Sequence, residues 1–279
     1  MRRIFDAHVD TLLKIKNPAE FLEGGEELQL DIPRAESAGV TGIVTAICSE
    51  AVKDPMNTFE RGFSNYLGIS ENTTMCIHLM VEGCQQLLEY HDRNMVMKHL
   101  SVASLTWNGA NSLAGGIGTD RALTASGRRF AMELHESGVV LDVSHLCDRS
   151  RYDLFDLDLP LVATHCNCRA VQDDPRNLPD EDLKEIASRG GVVGITFVPS
   201  FLGGNESLED IVAHLEHLVE VTGPEAAGFG SDFDGVGRLP AGIEDCTCWP
   251  DLFEVLDKRG WRSVDLDRVA GENWRRVIG

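Results

Sequence analysis

Short apolar segments alternate along the chain with longer amphipathic ones. Eight segments are rich in β-branched and apolar residues and are bounded by polar or glycine-containing turns, which is typical of buried strands. In chain order they read IFDAHVD, VTGIVTAIC, TMCIHLMVEG, HLSVASLTWN, GVVLDVSH, LVATHCN, GVVGITFVP and AAGFGSDFDG. The amphipathic segments predict helices over residues 31–38, 56–71, 84–93, 124–137, 148–156, 180–189, 207–222, 250–259 and 265–277.

The strand segments are almost continuously apolar, as in GVVLDV and GVVGITFV, and do not alternate with polar residues. Parallel strands that are buried on both faces have this pattern. Eight strand–helix units therefore predict an α/β fold, a single (β/α)8 TIM-type barrel that forms one domain over residues 1–279. An open doubly wound sheet is the alternative, but the G-x-G-x-x-G motif expected after its first strand is absent.

Side chains that can bind a metal stand where several of these segments end. They are His8, Asp10, Glu82, His145, His165 and Asp232. Because the carboxyl ends of barrel strands form one face, which carries the active site, we expect these side chains to meet. Imidazole and carboxylate groups are ligands that Zn²⁺ favours, and this set suffices for two divalent ions if Glu82 bridges them.

Such a site predicts metal-assisted hydrolysis, in which a metal-bridging hydroxide attacks a carbonyl group and Asp232 is free to transfer a proton. For His8 and Asp10 taken alone, a hydrogen bond that closes the barrel mouth is an equally good interpretation. The remaining histidines lie in predicted helices or within strands, where packing or solvation explains them.

Charge and cysteine content narrow the class of protein. The formal net charge of −20 argues against nucleic acid or an anionic membrane as a partner, because both require a basic face. Eight cysteines without an export signal are expected to be reduced thiols, which favours a cytoplasmic location. Cys166 and Cys168, like Cys246 and Cys248, form C-x-C pairs and lack the spacing of structural zinc sites.

The segments FDAHVD, LMVEG, SLTWN, GVVLDVSH, LVATHCN, PRNLPDEDL, HLEHLVEVTG, GFGSDFDGV and ENWRRVIG follow one another in this order. Together they resemble the membrane (renal) dipeptidase family, the zinc peptidases of the metallo-dependent hydrolase fold. The resemblance implies that His8 and Asp10 bind one zinc ion and that His145 and His165 bind the second. Glu82 is then the ligand shared by both ions.

The resemblance also implies that Arg176 holds the terminal carboxylate of the substrate and that Asp232 shuttles the proton. Without the motif, a surface ion pair would be the simpler interpretation of Arg176. Family members often form homodimers, so a homodimer is compatible with the resemblance.

The chain departs from the family pattern at Trp107, which stands where characterised dipeptidases use a histidine to bind the substrate carbonyl oxygen. An indole donates one hydrogen bond but cannot become cationic. We therefore expect the Trp107 indole, or the amide of Asn108, to take part of that role.

The resulting expectation is a metal-dependent dipeptidase that accepts dipeptides, including those with a D-residue at the C-terminal position. Two alternatives stay open. One is a dinuclear amidohydrolase that acts on another amide, a lactam or a lactone. The other is a metal-binding homologue without turnover.

Overall fold

A computed structural model describes residues 2–50 and 52–279. Eight strands are present, one within each predicted segment, so the predicted strands are confirmed. They are β1 (Ile4–Val9), β2 (Val40–Cys48), β3 (Cys76–Glu82), β4 (Leu100–Ser104), β5 (Val140–Asp142), β6 (Leu161–Val162), β7 (Val193–Ile195) and β8 (Ala227–Phe229).

The strands form one parallel sheet in the order β6-β5-β4-β3-β2-β1-β8-β7. A parallel bridge between Ala163 and Val193 joins the two outermost strands of that order and closes the barrel. The predicted (β/α)8 TIM-type barrel is therefore confirmed, and the carboxyl ends of all eight strands lie on one face.

Helices follow the strands. They are α1 (Thr11–Lys14), α2 (Pro18–Glu23), α3 (Ile32–Ser37), α4 (Pro55–Ser70), α5 (Gln85–Glu89), α6 (Arg93–Met97), α7 (Ala125–Glu136), α8 (Asp148–Phe155), α9 (Asp180–Ser188), α10 (Pro199–Leu202), α11 (Leu208–Thr222), α12 (Trp249–Lys258), α13 (Ser263–Asp267) and α14 (Asn273–Val277). Among the described residues, no helix is both long enough and apolar enough to cross a bilayer.

Two predicted helices are interrupted. The helix predicted over 84–93 ends at Glu89, because Tyr90 is extended and the Asp92 side chain caps a new helix by accepting from the Met95 N–H at 3.3 Å. The helix predicted over 265–277 contains a π-helical turn over Arg268–Glu272. There Gly271 packs against β1, where a Cβ atom would lie 2.9 Å from Phe5 Cβ.

The interior of the barrel positions the site through strand register. β2 and β3 pair Cys48 with Glu82 at their carboxyl ends. Because side chains alternate along a strand, the buried Val44 and Ala46 share the face of Cys48, and Met80 shares that of Glu82. Apolar side chains therefore lie below these two polar groups and leave them at the open end of the barrel.

Candidate active site

A cavity of about 480 Å³ opens at the carboxyl ends of the strands. Seven of the residues predicted from sequence line it: Asp10, Glu82, Trp107, Asn108, His145, Arg176 and Asp232. His8 and His165 are buried beside them, with 0% and 1% of their surface exposed. The structure thus brings all the predicted site residues to one place.

Glu82 is the centre of the imidazole group. Its Oε1 atom lies 2.8 Å from His145 Nε2, 3.3 Å from His165 Nε2 and 3.8 Å from His8 Nε2. The Nε2 atoms of His145 and His165 are 2.9 Å apart. Three imidazole nitrogens therefore face one carboxylate oxygen.

A second group of potential ligands adjoins the first through His8. Its Nε2 atom lies 3.5 Å from Asp10 Oδ2 and 3.9 Å from Asp232 Oδ1. One ligand atom from each of His8, Asp10 and Asp232 lies within 4.8 Å of the others, and the same holds for His8, Glu82 and His165. His8 thus belongs to two overlapping clusters.

The donor atoms fit divalent metal ions. His8 Nε2, Asp10 Oδ1 and Glu82 Oε1 are buried and have no hydrogen-bond partner in the protein. Buried polar atoms without a partner are costly, so their concentration here indicates a ligand that satisfies them. Nitrogen and carboxylate donors suit Zn²⁺ and similar borderline ions.

Burial and neighbouring charges give the three imidazoles different pKa values. Burial opposes a charge on His8, but the carboxylates of Glu82, Asp10 and Asp232 outweigh it and raise its pKa to about 10. Burial, reinforced by the Arg176 cation, lowers the pKa of His145 to about 4.

Burial, reinforced by the charge of His8, lowers the pKa of His165 to about 3. The low pKa values of His145 and His165 leave both imidazoles neutral near pH 7, and a neutral imidazole is the form that binds a metal. The imidazoles beside Glu82, His145 and His8 above all, hold the pKa of its carboxyl well below the usual range despite burial.

Asp232 differs from the other carboxylates. Burial and the neighbouring Asp10 carboxylate raise its pKa to about 7. A group with this pKa can both accept and donate a proton near neutral pH. Its backbone is left-handed, with φ of 68°, as is that of His145, and both conformations are unfavourable for residues other than glycine.

The outer nitrogens of two imidazoles are held by polar neighbours. His145 Nδ1 lies 3.0 Å from Asn108 Oδ1, and His165 Nδ1 lies 2.8 Å from Thr164 Oγ1. Because an amide oxygen only accepts, His145 Nδ1 carries the proton and Nε2 keeps its lone pair. Thr164 in turn donates to the buried Asp142 carboxylate at 2.6 Å. Asn108, predicted to contact substrate, thus also orients a candidate metal ligand.

Arg176 is buried, with 5% of its surface exposed. Its Nη2 lies 3.1 Å from His145 Nε2 and 3.3 Å from the His165 carbonyl oxygen. Among the described residues, no carboxylate lies within 4 Å of its guanidinium group, and Phe201 lies 5.4 Å from its Cζ. A surface ion pair therefore does not describe this arginine, which is available for an anionic ligand.

The Trp107 ring lies 6.0 Å from the imidazole of His145. Its peptide N–H donates to Glu50 Oε2 at 3.0 Å. Trp107 thus forms part of the cavity wall, at a place fixed by Glu50.

Sequence reasoning missed Cys48 and Glu50. Cys48 lines the cavity, and burial together with the Glu82 and Asp10 carboxylates raises the pKa of its thiol. It ends the apolar segment VTGIVTAIC, so the strand-end criterion that selected the histidines could have found it. Glu50 stands two residues after the end of β2, so the same criterion could have found it, although its hydrogen-bond partners are remote in sequence.

Among the other thiols, Cys166 contacts the site, because its Sγ atom accepts from Arg176 Nη1 at 3.3 Å. The remaining thiols and histidines lie outside the two candidate metal clusters of the described residues. All eight cysteines are free, and no cysteine belongs to a potential metal cluster among the described residues. His214 is buried, accepts from the Cys168 N–H and contacts the Leu202 carbonyl oxygen, as expected for a packed histidine.

The sequence profile of the family described as "Membrane dipeptidase (Peptidase family M19)" matches residues 69–279. An uncharacterized dipeptidase of Schizosaccharomyces pombe is 34% identical over 173 residues, which are 60% of this chain and 42% of that protein. The match thus spans less than half the length of that relative.

Two solved structures are similar over nearly the whole chain. A metallopeptidase named dipeptidase AC has a TM-score of 0.90 at 26% identity, covering 99% of this chain and 98% of that one. A metallopeptidase from Rhodobacter sphaeroides, liganded with a phosphinate mimic of the dipeptide L-Ala-D-Ala, has a TM-score of 0.86 at 25% identity with the same coverage. With a family profile that matches well over half of its residues, the chain belongs to the membrane dipeptidase family.

Proposed function

We propose that this chain is a metal-dependent dipeptidase. The observation that carries the proposal is the arrangement of the cavity, where a buried arginine without a carboxylate partner lies 3.1 Å from His145, one of the clustered candidate ligands. Such a site can hold the free carboxylate of a substrate close to a hydrolytic centre. Membership of the membrane dipeptidase family supports the same reaction.

Two divalent ions, most readily Zn²⁺, would occupy this centre. His8 and Asp10 would hold one, His145 and His165 the other, and Glu82 would contact both. When bound, the ions supply Lewis-acid polarisation of the scissile carbonyl and lower the pKa of the attacking water. The neutral forms of His145 and His165 and the unpartnered Glu82 Oε1 support this assignment.

The protein's own groups bind and orient the substrate. Arg176, whose Cζ atom lies 5.4 Å from the Phe201 ring, would pair with the C-terminal carboxylate of the substrate. Trp107 and the amide of Asn108, which line the same cavity beside His145, would contact the substrate near its carbonyl group. Asp232, which lines the cavity, would take the proton from water and pass it to the leaving amine.

The ligand of the Rhodobacter sphaeroides metallopeptidase mimics L-Ala-D-Ala. We therefore include dipeptides with a D-residue at the C-terminal position among the substrates. The cavity volume of about 480 Å³ suits a ligand of this size.

The eight free thiols support a reducing compartment such as the cytoplasm. We further propose that residues 1–279 act as one barrel domain, alone or as a homodimer. The formal net charge of −20 supports a small-molecule substrate in preference to nucleic acid or an anionic membrane.

Metal analysis and a stereochemical substrate panel test the proposal. The purified protein should hold about two equivalents of zinc and should hydrolyse L-Ala-L-Ala or L-Ala-D-Ala in a reaction that a chelator abolishes. Replacing the free carboxylate of the substrate by an amide should lower kcat/KM by about 10–100-fold, because one charged hydrogen-bonded contact is lost.

Arg176→Gln should lower kcat/KM for free dipeptides by about 10–100-fold and leave the amidated substrate unaffected. Arg128→Gln is the matched control, because Arg128 pairs with Asp153 outside the cavity. Hydrolysis of lactams or lactones without dipeptides would point to another amidohydrolase activity. If the protein bound zinc but hydrolysed none of these substrates, the proposal that it is an enzyme would be refuted.

A further inference from the structure

Glu50 accepts hydrogen bonds from two separate parts of the chain. Its Oε2 accepts from the Trp107 N–H at 3.0 Å, and its Oε1 accepts from Asn111 Nδ2 at 2.5 Å and from the Gln85 N–H at 3.4 Å. No arginine, lysine or histidine nitrogen lies within 4 Å of it among the described residues. This carboxylate is therefore held by N–H donors alone and makes no ion pair.

These contacts fix the β4 loop, which we define as residues 105–124, between β4 and α7. Asn111 Nδ2 also donates to the Leu105 carbonyl oxygen at 2.7 Å, and Asn111 Oδ1 accepts from the Leu113 N–H at 2.8 Å. Gln85 Oε1 accepts from the Ser112 N–H at 3.1 Å. The first half of the loop is thus tied to β2 and β3 through a network centred on Glu50.

Glu50 also packs on the backbone beside Glu82. Gly83 has a φ of 81°, and a Cβ atom at this position would lie 2.5 Å from Glu50 Cδ. A side chain at position 83 would therefore displace the carboxylate. The glycine leaves room for Glu50 directly after the residue on which the three imidazoles converge.

The β4 loop carries the contact that orients His145. Asn108 follows Trp107, whose N–H is bound by Glu50, and Asn108 Oδ1 accepts from His145 Nδ1 at 3.0 Å. His145 Nε2 then faces Glu82 Oε1 at 2.8 Å. A continuous path of hydrogen bonds and one peptide link thus joins Glu50 to a candidate metal ligand.

We propose that Glu50 is a positioning residue of the metal centre, which holds the β4 loop so that Asn108 keeps the His145 imidazole aimed at the site. The predicted effect of Glu50 on turnover rests on the proposed function. Its effect on metal affinity does not depend on which bond the protein hydrolyses.

Glu50→Gln tests this role, because the new amide nitrogen cannot accept the hydrogen bonds of the carboxylate oxygen that it replaces. We expect the affinity for one of two zinc ions, measured by competition with a chromophoric chelator, to fall about tenfold, as for other groups that orient a ligand. We expect kcat to fall by a similar factor while KM changes little. Glu50→Asp withdraws the carboxylate by one methylene. It replaces Glu50→Gln in the same measurements if Glu50→Gln does not fold.

Asp153→Asn is the matched control. Asp153 Oδ2 accepts from the Leu123 N–H at 2.9 Å and so anchors the other end of the same loop, away from the cavity. It should lower the thermal unfolding temperature without weakening zinc binding. Equal losses of zinc affinity in the Glu50 and Asp153 variants would overturn the proposal, since both would then report general loosening of the loop.

A double-mutant cycle examines the path itself. If Glu50 acts through Asn108, the zinc affinity of Glu50→Gln/Asn108→Ala should equal that of Asn108→Ala, because the second change removes nothing further. Additive losses would refute the path. If the wild-type protein bound zinc but cleaved no dipeptide, the proposed function would be refuted. The zinc affinities of the variants would still decide the role of Glu50.

Discussion

Gly235 allows a test in which one methyl group is placed against two candidate metal-site carboxylates. A Cβ atom at position 235 would lie 2.2 Å from Asp10 Oδ2 and 2.2 Å from Asp232 Oδ1. Gly235 does not adopt the left-handed conformation, so alanine suits its backbone. Gly235→Ala should therefore act by steric displacement of these oxygens and not through backbone strain.

The displacement can be estimated from ordinary contact distances. Non-bonded carbon and oxygen atoms need more than 3 Å, so each oxygen at 2.2 Å must retreat by roughly 1 Å. Metal ligands tolerate about 0.2 Å, and a misplacement of about 1 Å at a reacting centre costs about 100-fold in rate. We expect zinc affinity to fall at the position held by His8 and Asp10 and kcat/KM to fall by about 100-fold.

The assay combines chelator competition for zinc, dipeptide hydrolysis and thermal unfolding of the metal-free protein. Gly237→Ala is the matched control, because nothing lies within 4 Å of a Cβ atom at that position. Gly237→Ala should behave as wild type in all three measurements. If Gly235→Ala bound zinc as tightly as wild type, Asp10 would not be a ligand in this geometry.

Further predictions concern the proton carrier, the cavity wall, the metal and the thiols. Asp232→Asn should lower kcat by about 100-fold or more while zinc stoichiometry, measured by elemental analysis, is unchanged. Trp107→Phe keeps the peptide N–H bound by Glu50 and removes only the indole donor. The turnover rate should fall by more than any loss of folded protein explains, and unchanged kinetics would exclude the indole from catalysis. Removing zinc with a chelator should lower the unfolding temperature, and adding zinc back should raise it with concentration, because the ions bind only the folded site. A thiol reagent should label Cys76 fastest in the native protein, because it is the exposed cysteine among the described residues, and all eight cysteines after denaturation; rapid native labelling of several thiols would contradict the packing.

The barrel could be predicted because its determinants are local. The strands are mostly apolar along their length, and parallel strands buried on both faces require such runs. The carboxyl ends of these runs meet on one face, so His8, Glu82, His145 and His165 could be selected without coordinates. Helix breaks were harder to predict, since the turn near Gly271 depends on its approach to β1.

The local sequence determined the order of strands and helices, the residue types at the strand ends and the family motifs that mark Arg176. Tertiary structure alone decided which atoms meet: Glu50 with Trp107, Asn108 with His145, and Cys48 beside Glu82. The physical reason is the sequence distance over which each kind of interaction acts. Periodicity and capping act over a few neighbouring residues, whereas these contacts join distant segments that approach each other only when the barrel closes and its register is set.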